Sequence, residues 1–227
     1  MFKPFQSSRP FRVQSWPGYY GWVILFFGTF GMIAAVPGSP PGMSVFIDGM
    51  IESLAIDREL FSLAYMLGTI SAGLIAPYAG TLIDLHGSRI IACASFFGLG
   101  IVLIFTGSVD RIHSYGMWGL PMEWYAFLLI CIAFAGMRLI GVGFAMTTCR
   151  SMVFKWFEGR RGMAAAINGV VLSLSFSSAP VLLNGAVISI GWQLAWIVLG
   201  VVFILIMCPL AYGFFRDSPE ACGVEVE

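Results

Sequence analysis

Apolar positions in this chain come in long runs rather than in stripes. Windows near 19–41, 60–81, 90–107, 124–149, 162–185 and 192–214 are each predominantly apolar. Each is about the length that a helix needs to cross a hydrocarbon core of about 30 Å. Segments such as Ile197 to Met207 are apolar on every face, so the alternation of a transmembrane strand is missing and helices are predicted. Polar residues gather between the windows. Two connections are long, 42–59 and 108–123, whereas the fifth and sixth windows meet in a turn around Ile190 and Gly191, short enough to make those helices antiparallel neighbours. In the first long connection a short helix is predicted from near Ser44, carrying Asp48 and Glu52 on one face, with Asp57 placed to cap the second span.

Composition narrows the class. Of 227 residues, 59% are hydrophobic and 11% charged, and the mean hydropathy is +0.89. That is too much apolar surface for a water-soluble domain, so lipid is the expected solvent. Lys and Arg set the orientation. With the N-terminus inside, Lys3, Arg9, Arg12, Arg89, Arg150, Lys155, Arg160, Arg161 and Arg216 fall on the cytoplasmic side, and Arg58 and Arg111 outside. Both termini of a six-span chain are then cytoplasmic, in the cell membrane. The first apolar run follows a tail of 18 residues, is long enough to span and has no small-residue cleavage pattern, which predicts an uncleaved first helix.

Enzyme chemistry finds no purchase. His86 and His113 are the only histidines, both expected in loops, and there is no His-Glu-x-x-His, Gly-x-Ser-x-Gly or Walker-type loop. Cys93, Cys131, Cys149, Cys208 and Cys222 show neither metal-pair nor redox-pair spacing, and read as small apolar packing residues. No catalytic residue, metal, cofactor or nucleic-acid partner is expected.

Between the second and third windows stands Gly80-x-x-x-Asp84-x-x-Gly87-x-Arg89. Read physically, Gly80 permits close helix approach, Asp84 can cap or neutralise a helix N-terminus, Gly87 allows a tight turn and Arg89 anchors the next helix. String and place resemble the loop motif of the major facilitator superfamily, although Leu85 and Ser88 stand where the family form has basic residues. The stretch Arg138-Leu-Ile-Gly141-Val-Gly143 is similar to the family's pattern in the fourth helix. Trp156-Phe-Glu-Gly-Arg160-Arg161-Gly162 resembles bacterial members related to monocarboxylate and oxalate–formate carriers, as do Pro37-Gly-Ser-Pro-Pro-Gly-Met-Ser-Val-Phe46, Phe61 to Tyr65 and Gly68-Thr69. Ala179-Pro180 departs from the antiporter-type Gly-Pro.

The resemblance implies an all-α membrane fold: six helices as a three-plus-three inverted repeat, the N-terminal half of a twelve-helix carrier. It divides the chain into a tail at 1–18, a bundle at 19–214 and the start of a central cytoplasmic linker at 215–227. It also implies that Asp84 works as a gate against a second bundle. That bundle is expected in a longer polypeptide, in a separate chain or in a second copy of this one, because alternating access needs two.

Within the windows one charge stands out. No Asp or Glu lies in any of them, yet Arg138 sits in the fourth, about 21 Å along its helix. An uncompensated Arg there costs roughly 2.5–3.5 kcal/mol on insertion scales. Its expected partner is an anionic substrate, a carboxylate from the second bundle, or carbonyls freed where the first helix is broken at Pro37, Gly38, Pro40 and Pro41. It could equally hold the first and fourth helices together. Tyr65 and Thr69, one turn apart, and Asn168, on a face with Leu172 and Ser175, are further candidates for a polar cavity. Gly28 with Gly31, and Gly141 with Ala145, read as packing seams. Trp16, Trp22, Trp124, Trp192 and Trp196 suit the membrane interface. Two functions fit: a half-carrier for a small organic anion such as a monocarboxylate, with lipid and a second bundle as partners, or a six-helix scaffold that moves no solute.

Overall fold

A computed structural model describes residues 13–116, 119 and 121–224. Lys3, Arg9 and Arg12 therefore lie outside the described residues. The regular elements are all helical, as a lipid-facing backbone that must satisfy its own hydrogen bonds requires. They are α1 (Gly21–Met32, prolonged by a 3-10 turn Ile33–Ala35), α2 (Pro40–Met43), α3 (Ile47–Leu54), α4 (Arg58–Ile75), α5 (Pro77–His86), α6 (Ser88–Tyr115), α7 (Met122–Gly136), α8 (Thr147–Trp156), α9 (Arg161–Val202) and α10 (Cys208–Phe214). A π-helical segment, Met137–Met146, joins α7 to α8, and another, Phe203–Met207, joins α9 to α10.

Among the described residues three helices are long and apolar enough to cross a membrane: Ser88–Tyr115, Met122–Trp156 and Arg161–Phe214. The pair α4 and α5, bent by 46°, makes a fourth if taken as one span, and Gly21–Ala35 is a shorter apolar helix. The six windows map onto these pieces with identifiable breaks. The first helix ends before Pro37, which supplies no N–H to continue the pairing, and Ser39, before Pro40, is extended at φ −90° and ψ 156°. The chain then turns so tightly that a Cβ on Gly42 would lie 2.0 Å from the Val36 carbonyl oxygen. Pro77 opens α5 and coincides with the bend. Inside α9, Gly191 has φ +80° and ψ +158°, a conformation that an L side chain resists. The turn expected there is a single-residue break.

Helix directions follow from the contacts. Tyr19 meets Trp156, Gly28 meets Val153 and Gly38 meets Met137, so α1 runs antiparallel to Met122–Trp156. Along α4, Gly68 meets Phe134 and Thr69 meets Arg138, while Ala76 meets Gly143; these two run parallel. Against α6, Gly107 meets Gln193 and Gly100 meets Gly200, an antiparallel crossing by the residues after Gly191. Lipid tails give no hydrophobic drive between helices, so such crossings depend on small residues that let backbones touch. A Cβ on Gly100 would come within 2.7 Å of the Gly200 carbonyl oxygen, and one on Gly200 within 2.6 Å of the Gly100 carbonyl oxygen. Gly28 and Gly31 are equally tight, at 2.6 Å from Val153 Cγ2 and Cys149 Sγ, and Gly141 lies against the Ala34 carbonyl.

Three local expectations are corrected. Trp192 and Trp196 are buried rather than interfacial, because α3 folds over them: Trp196 stacks on Phe46 at 4.1 Å, and a Cβ on Gly49 would meet Trp192. Trp16, Trp22 and Trp124 are exposed. His86 and His113 lie in the last turns of α5 and α6, not in loops, and His113 is buried with Nε2 3.2 Å from the Met122 carbonyl oxygen. Asp57 occupies the N-cap position of α4 but makes no side-chain cap bond. Asp48 instead pairs with Arg58.

Candidate functional site

The Gly80-to-Arg89 string lies at the end of the bundle where the described chain termini meet. There Tyr20 donates to the Phe214 carbonyl (2.7 Å), Trp156 Nε1 to the Arg216 carbonyl (3.2 Å) and Gln14 Nε2 to the Cys222 carbonyl (3.3 Å). Gly87, with φ +85°, forms the turn from α5 into α6. Arg89 is 2% exposed. Its Nε donates to the Tyr212 carbonyl at 2.9 Å, and its guanidinium lies 4.6 Å from the Tyr212 ring centroid. A cation on the last carbonyls of α10 is also favoured by that helix's dipole. Arg216, 1% exposed, donates to the carbonyls of Gly213 (2.9 Å) and Phe215 (2.7 Å). Burial pulls its guanidinium below the ordinary value, and neighbouring Tyr20 works against that shift.

Two residues of the string behave otherwise than their types suggested. No heavy atom of a neighbour comes within 4 Å of a Cβ built on Gly80, so no close helix approach is made there among the described residues. Asp84 is exposed and caps no helix; its nearest cation is Lys155 Nζ at 4.0 Å. The carboxylate at a helix start is that of Asp217, whose Oδ1 accepts the backbone N–H of Arg89 at 2.9 Å in the first turn of α6.

The second constellation is built on α4 and the π-helical segment. Tyr65 and Thr69 share a face one turn apart, and the parallel packing of α4 on Met122–Trp156 brings Arg138 to both. Arg138 Nε donates to Thr69 Oγ1 at 3.4 Å, a long bond, and the guanidinium carbon stands 5.7 Å from the Tyr65 ring centroid. Arg138 is half-buried and pairs with no carboxylate among the described residues. The Tyr65 hydroxyl oxygen is buried without a hydrogen-bond partner, an unmet cost for a phenol out of water. Arg138, Thr69, Ala72, Gly73, Gly143 and Thr147 line a recess of about 260 Å³. Here the backbone has left α-helical pairing, and the Thr147 hydroxyl donates to the carbonyl of Val142, five residues back, at 3.2 Å. Single π turns recur at functional sites in helices.

The sequence from residue 21 to residue 223 matches the family model described as Major Facilitator Superfamily. The chain belongs to this superfamily. Its family is one of membrane transporters rather than enzymes, which agrees with the all-helical fold and the apolar helices. No curated protein and no solved structure shows a significant match to the chain.

In this superfamily member the remaining candidates lie apart from Arg138. Asn168 is 5% exposed on α9, where its Oδ1 meets the hydroxyl of Thr29 on α1, a different helix pair from the one carrying Tyr65 and Thr69. Pro37, Gly38, Pro40 and Pro41 form the break after α1. A Cβ on Gly38 would lie 3.1 Å from the Met137 carbonyl oxygen, so the break packs against the turn that carries Arg138. Among the described residues the guanidinium donates to no carbonyl of that break; its bond goes to Thr69. Sequence reasoning missed Asp217 and the Gly100–Gly200 crossing. Asp217 stands in an ordinary Arg-Asp-Ser-Pro loop and gave no signal. The glycines at 100 and 200 were visible, but their pairing is tertiary.

Proposed function

We propose that this chain is a six-helix bundle of a secondary carrier for a small organic anion, of the monocarboxylate and oxalate–formate-like branch. It works by alternating access against a second six-helix bundle, in the cell membrane, with the described ends on the cytoplasmic face. Four features support six crossings as a three-plus-three repeat: the alternating helix directions, the break at Gly191, the bend at Pro77 and the meeting of the described termini.

Arg138 carries the substrate reading. A half-buried guanidinium with no carboxylate among the described residues, beside a buried phenol without a partner, presents donors and no counter-charge; the Thr69 hydroxyl already donates to the Tyr65 carbonyl at 2.9 Å. A carboxylate of substrate size would pair with the guanidinium and offset the cost of the cation. The alkyl part of such an anion would lie on Ala72, Ala76 and Val142, which line the same recess. Asp84 faces outward with Gly80 open beside it, an arrangement suited to a latch against the second bundle.

The test is Arg138→Lys and Arg138→Gln in the complete two-bundle transporter, reading uptake over a panel of carboxylates. Lys should retain part of the uptake and Gln should lose it. Unchanged uptake and affinity in both would reject Arg138 as the anion-selecting group.

A further inference from the structure

The recess beside Arg138 has donors for one carboxylate and none for a second. Among the described residues the guanidinium makes one hydrogen bond, the long one from Nε to Thr69 Oγ1, which leaves Nη1 and Nη2 for a ligand. No other ionisable side chain lines the recess. Its two hydroxyls have spent their protons within their own helices: Thr69 donates to the Tyr65 carbonyl at 2.9 Å and Thr147 to the Val142 carbonyl at 3.2 Å. A carboxylate only accepts. A second one would therefore exchange water for Ala72, Ala76 and Val142 and find no donor there, at the cost of an unserved charge.

The space beyond the guanidinium is larger than a carboxylate needs. The lining extends from Thr69 to Ala76, about 10 Å along α4. Two glycines keep it open. A Cβ on Gly73 would meet nothing within 4 Å, and one on Gly143 would reach across to the Ala76 Cβ at 3.8 Å. The volume is about 260 Å³. Set against the roughly 30 Å³ that a water molecule occupies in the liquid, this is room for about nine non-hydrogen atoms. Formate and acetate fall well short of that, whereas hexanoate and benzoate come close to it.

We propose that the recess selects a monocarboxylate with an uncharged body of the size of hexanoate or benzoate, over dicarboxylates and over acids as short as formate and acetate, and that Gly73 and Gly143 set that size. This rests on the reading of Arg138 as the anion-binding group and narrows it. The carboxylate takes Nη1 and Nη2 at the Thr69 end, and the body lies toward Ala76 and Thr147 along walls that carry no charge. Each methylene buried there adds about fourfold to affinity, up to the end of the lining at Ala76.

Calorimetric titration of the complete two-bundle transporter in nanodiscs with formate, acetate, butanoate, hexanoate, benzoate and adipate tests this. Affinity should rise about fourfold per methylene from acetate to hexanoate, and benzoate should bind about as hexanoate does. Adipate, which is hexanoate with a second carboxylate, should bind about tenfold more weakly than hexanoate. Gly143→Val, or Gly73→Leu if the first does not fold, should cost hexanoate and benzoate about tenfold and leave acetate unchanged. Acetate binding as tightly as hexanoate, adipate matching hexanoate, or a folded recess-filled variant that keeps its hexanoate affinity overturns the proposal. Arg138→Gln keeps the two readings apart. If it weakens every acid while the size order fails, the size inference alone falls; if it changes the binding of none, the anion reading falls and this inference with it.

Discussion

Asp217 closes the first turn of α6 by accepting the backbone N–H of Arg89 at 2.9 Å, across 128 residues of sequence. Gly87 stands at the N-cap of that helix with no side chain to offer, and a Cβ there would lie 2.8 Å from both carboxylate oxygens of Asp217. The glycine makes room for a cap supplied from the other end of the chain. A helix N-cap is worth roughly 0.5–2 kcal/mol, and a negative charge beside the helix start adds to it. Asp217→Ala should therefore lower thermal stability in detergent by about 1 kcal/mol, with Asp217→Asn losing less. Asp84→Ala, which removes only an exposed carboxylate 4.0 Å from Lys155, should leave the melting midpoint within experimental scatter. Equal losses for the two aspartates would refute the assignment of the cap.

Close glycine contacts make a second prediction. Gly100 and Gly200 face each other with backbone oxygens 2.6–2.7 Å from where a Cβ would sit, so Gly200→Leu must push α6 and α9 apart. Overpacking of this kind costs typically 1–3 kcal/mol. Gly185 has no neighbour within 4 Å, and Gly185→Ala should be neutral or stabilise by a few tenths of a kcal/mol through helix propensity. Thermal unfolding followed by size-exclusion chromatography distinguishes the two. A stable Gly200→Leu would mean that the crossing is not made.

How far these features were legible depended on the range of the interaction that creates them. The helical class was readable because unbroken apolar runs leave the backbone no partner but itself, and the end of α1 was readable because proline acts locally, whereas the second window ran through the bend at Pro77. Tyr65 and Thr69 could be placed on one face by spacing alone. That Arg138 lies against them follows from the parallel packing of α4 on α7, for which the chain carries no local mark. Trp196 was misplaced for the same reason: an indole near a span end suits the interface until α3 covers it. Asp84 and Asp217 are alike in sequence, and only the fold decides which one reaches a helix start.

Cys222 gives a pH-dependent readout of the same end of the molecule. Its thiol is pushed above the ordinary value chiefly by burial, with Arg216 opposing. Only the thiolate is alkylated, so raising the value reduces the reactive fraction at every pH below it. In a variant keeping Cys222 and lacking the other four cysteines, alkylation should rise with pH. It should level off at a higher pH than in a peptide of the same terminal sequence. Arg216→Gln removes the opposing charge and should move the curve higher still. A folded-state curve at or below that of the peptide would show that the Cys222 thiol is not buried in solution.

Whether the chain is part of a carrier or a scaffold turns on water reaching the Arg138 recess. Thr69 and Arg138 line that recess and are only half-buried, whereas Asn168 is 5% exposed between α1 and α9. Single cysteines at 69, 138 and 168 in an otherwise cysteine-free chain therefore make opposite predictions within one molecule. A membrane-impermeant thiol reagent should label positions 69 and 138 in bilayers and spare 168, and a small carboxylate added in excess should protect position 69, where Arg138 is intact, but not position 138, where it has been replaced. A scaffold needs no aqueous path to mid-membrane and would leave all three unlabelled. Labelling at 69 and 138 without protection by any carboxylate would keep the cavity but remove the anion from it, which separates the transport reading from the substrate reading.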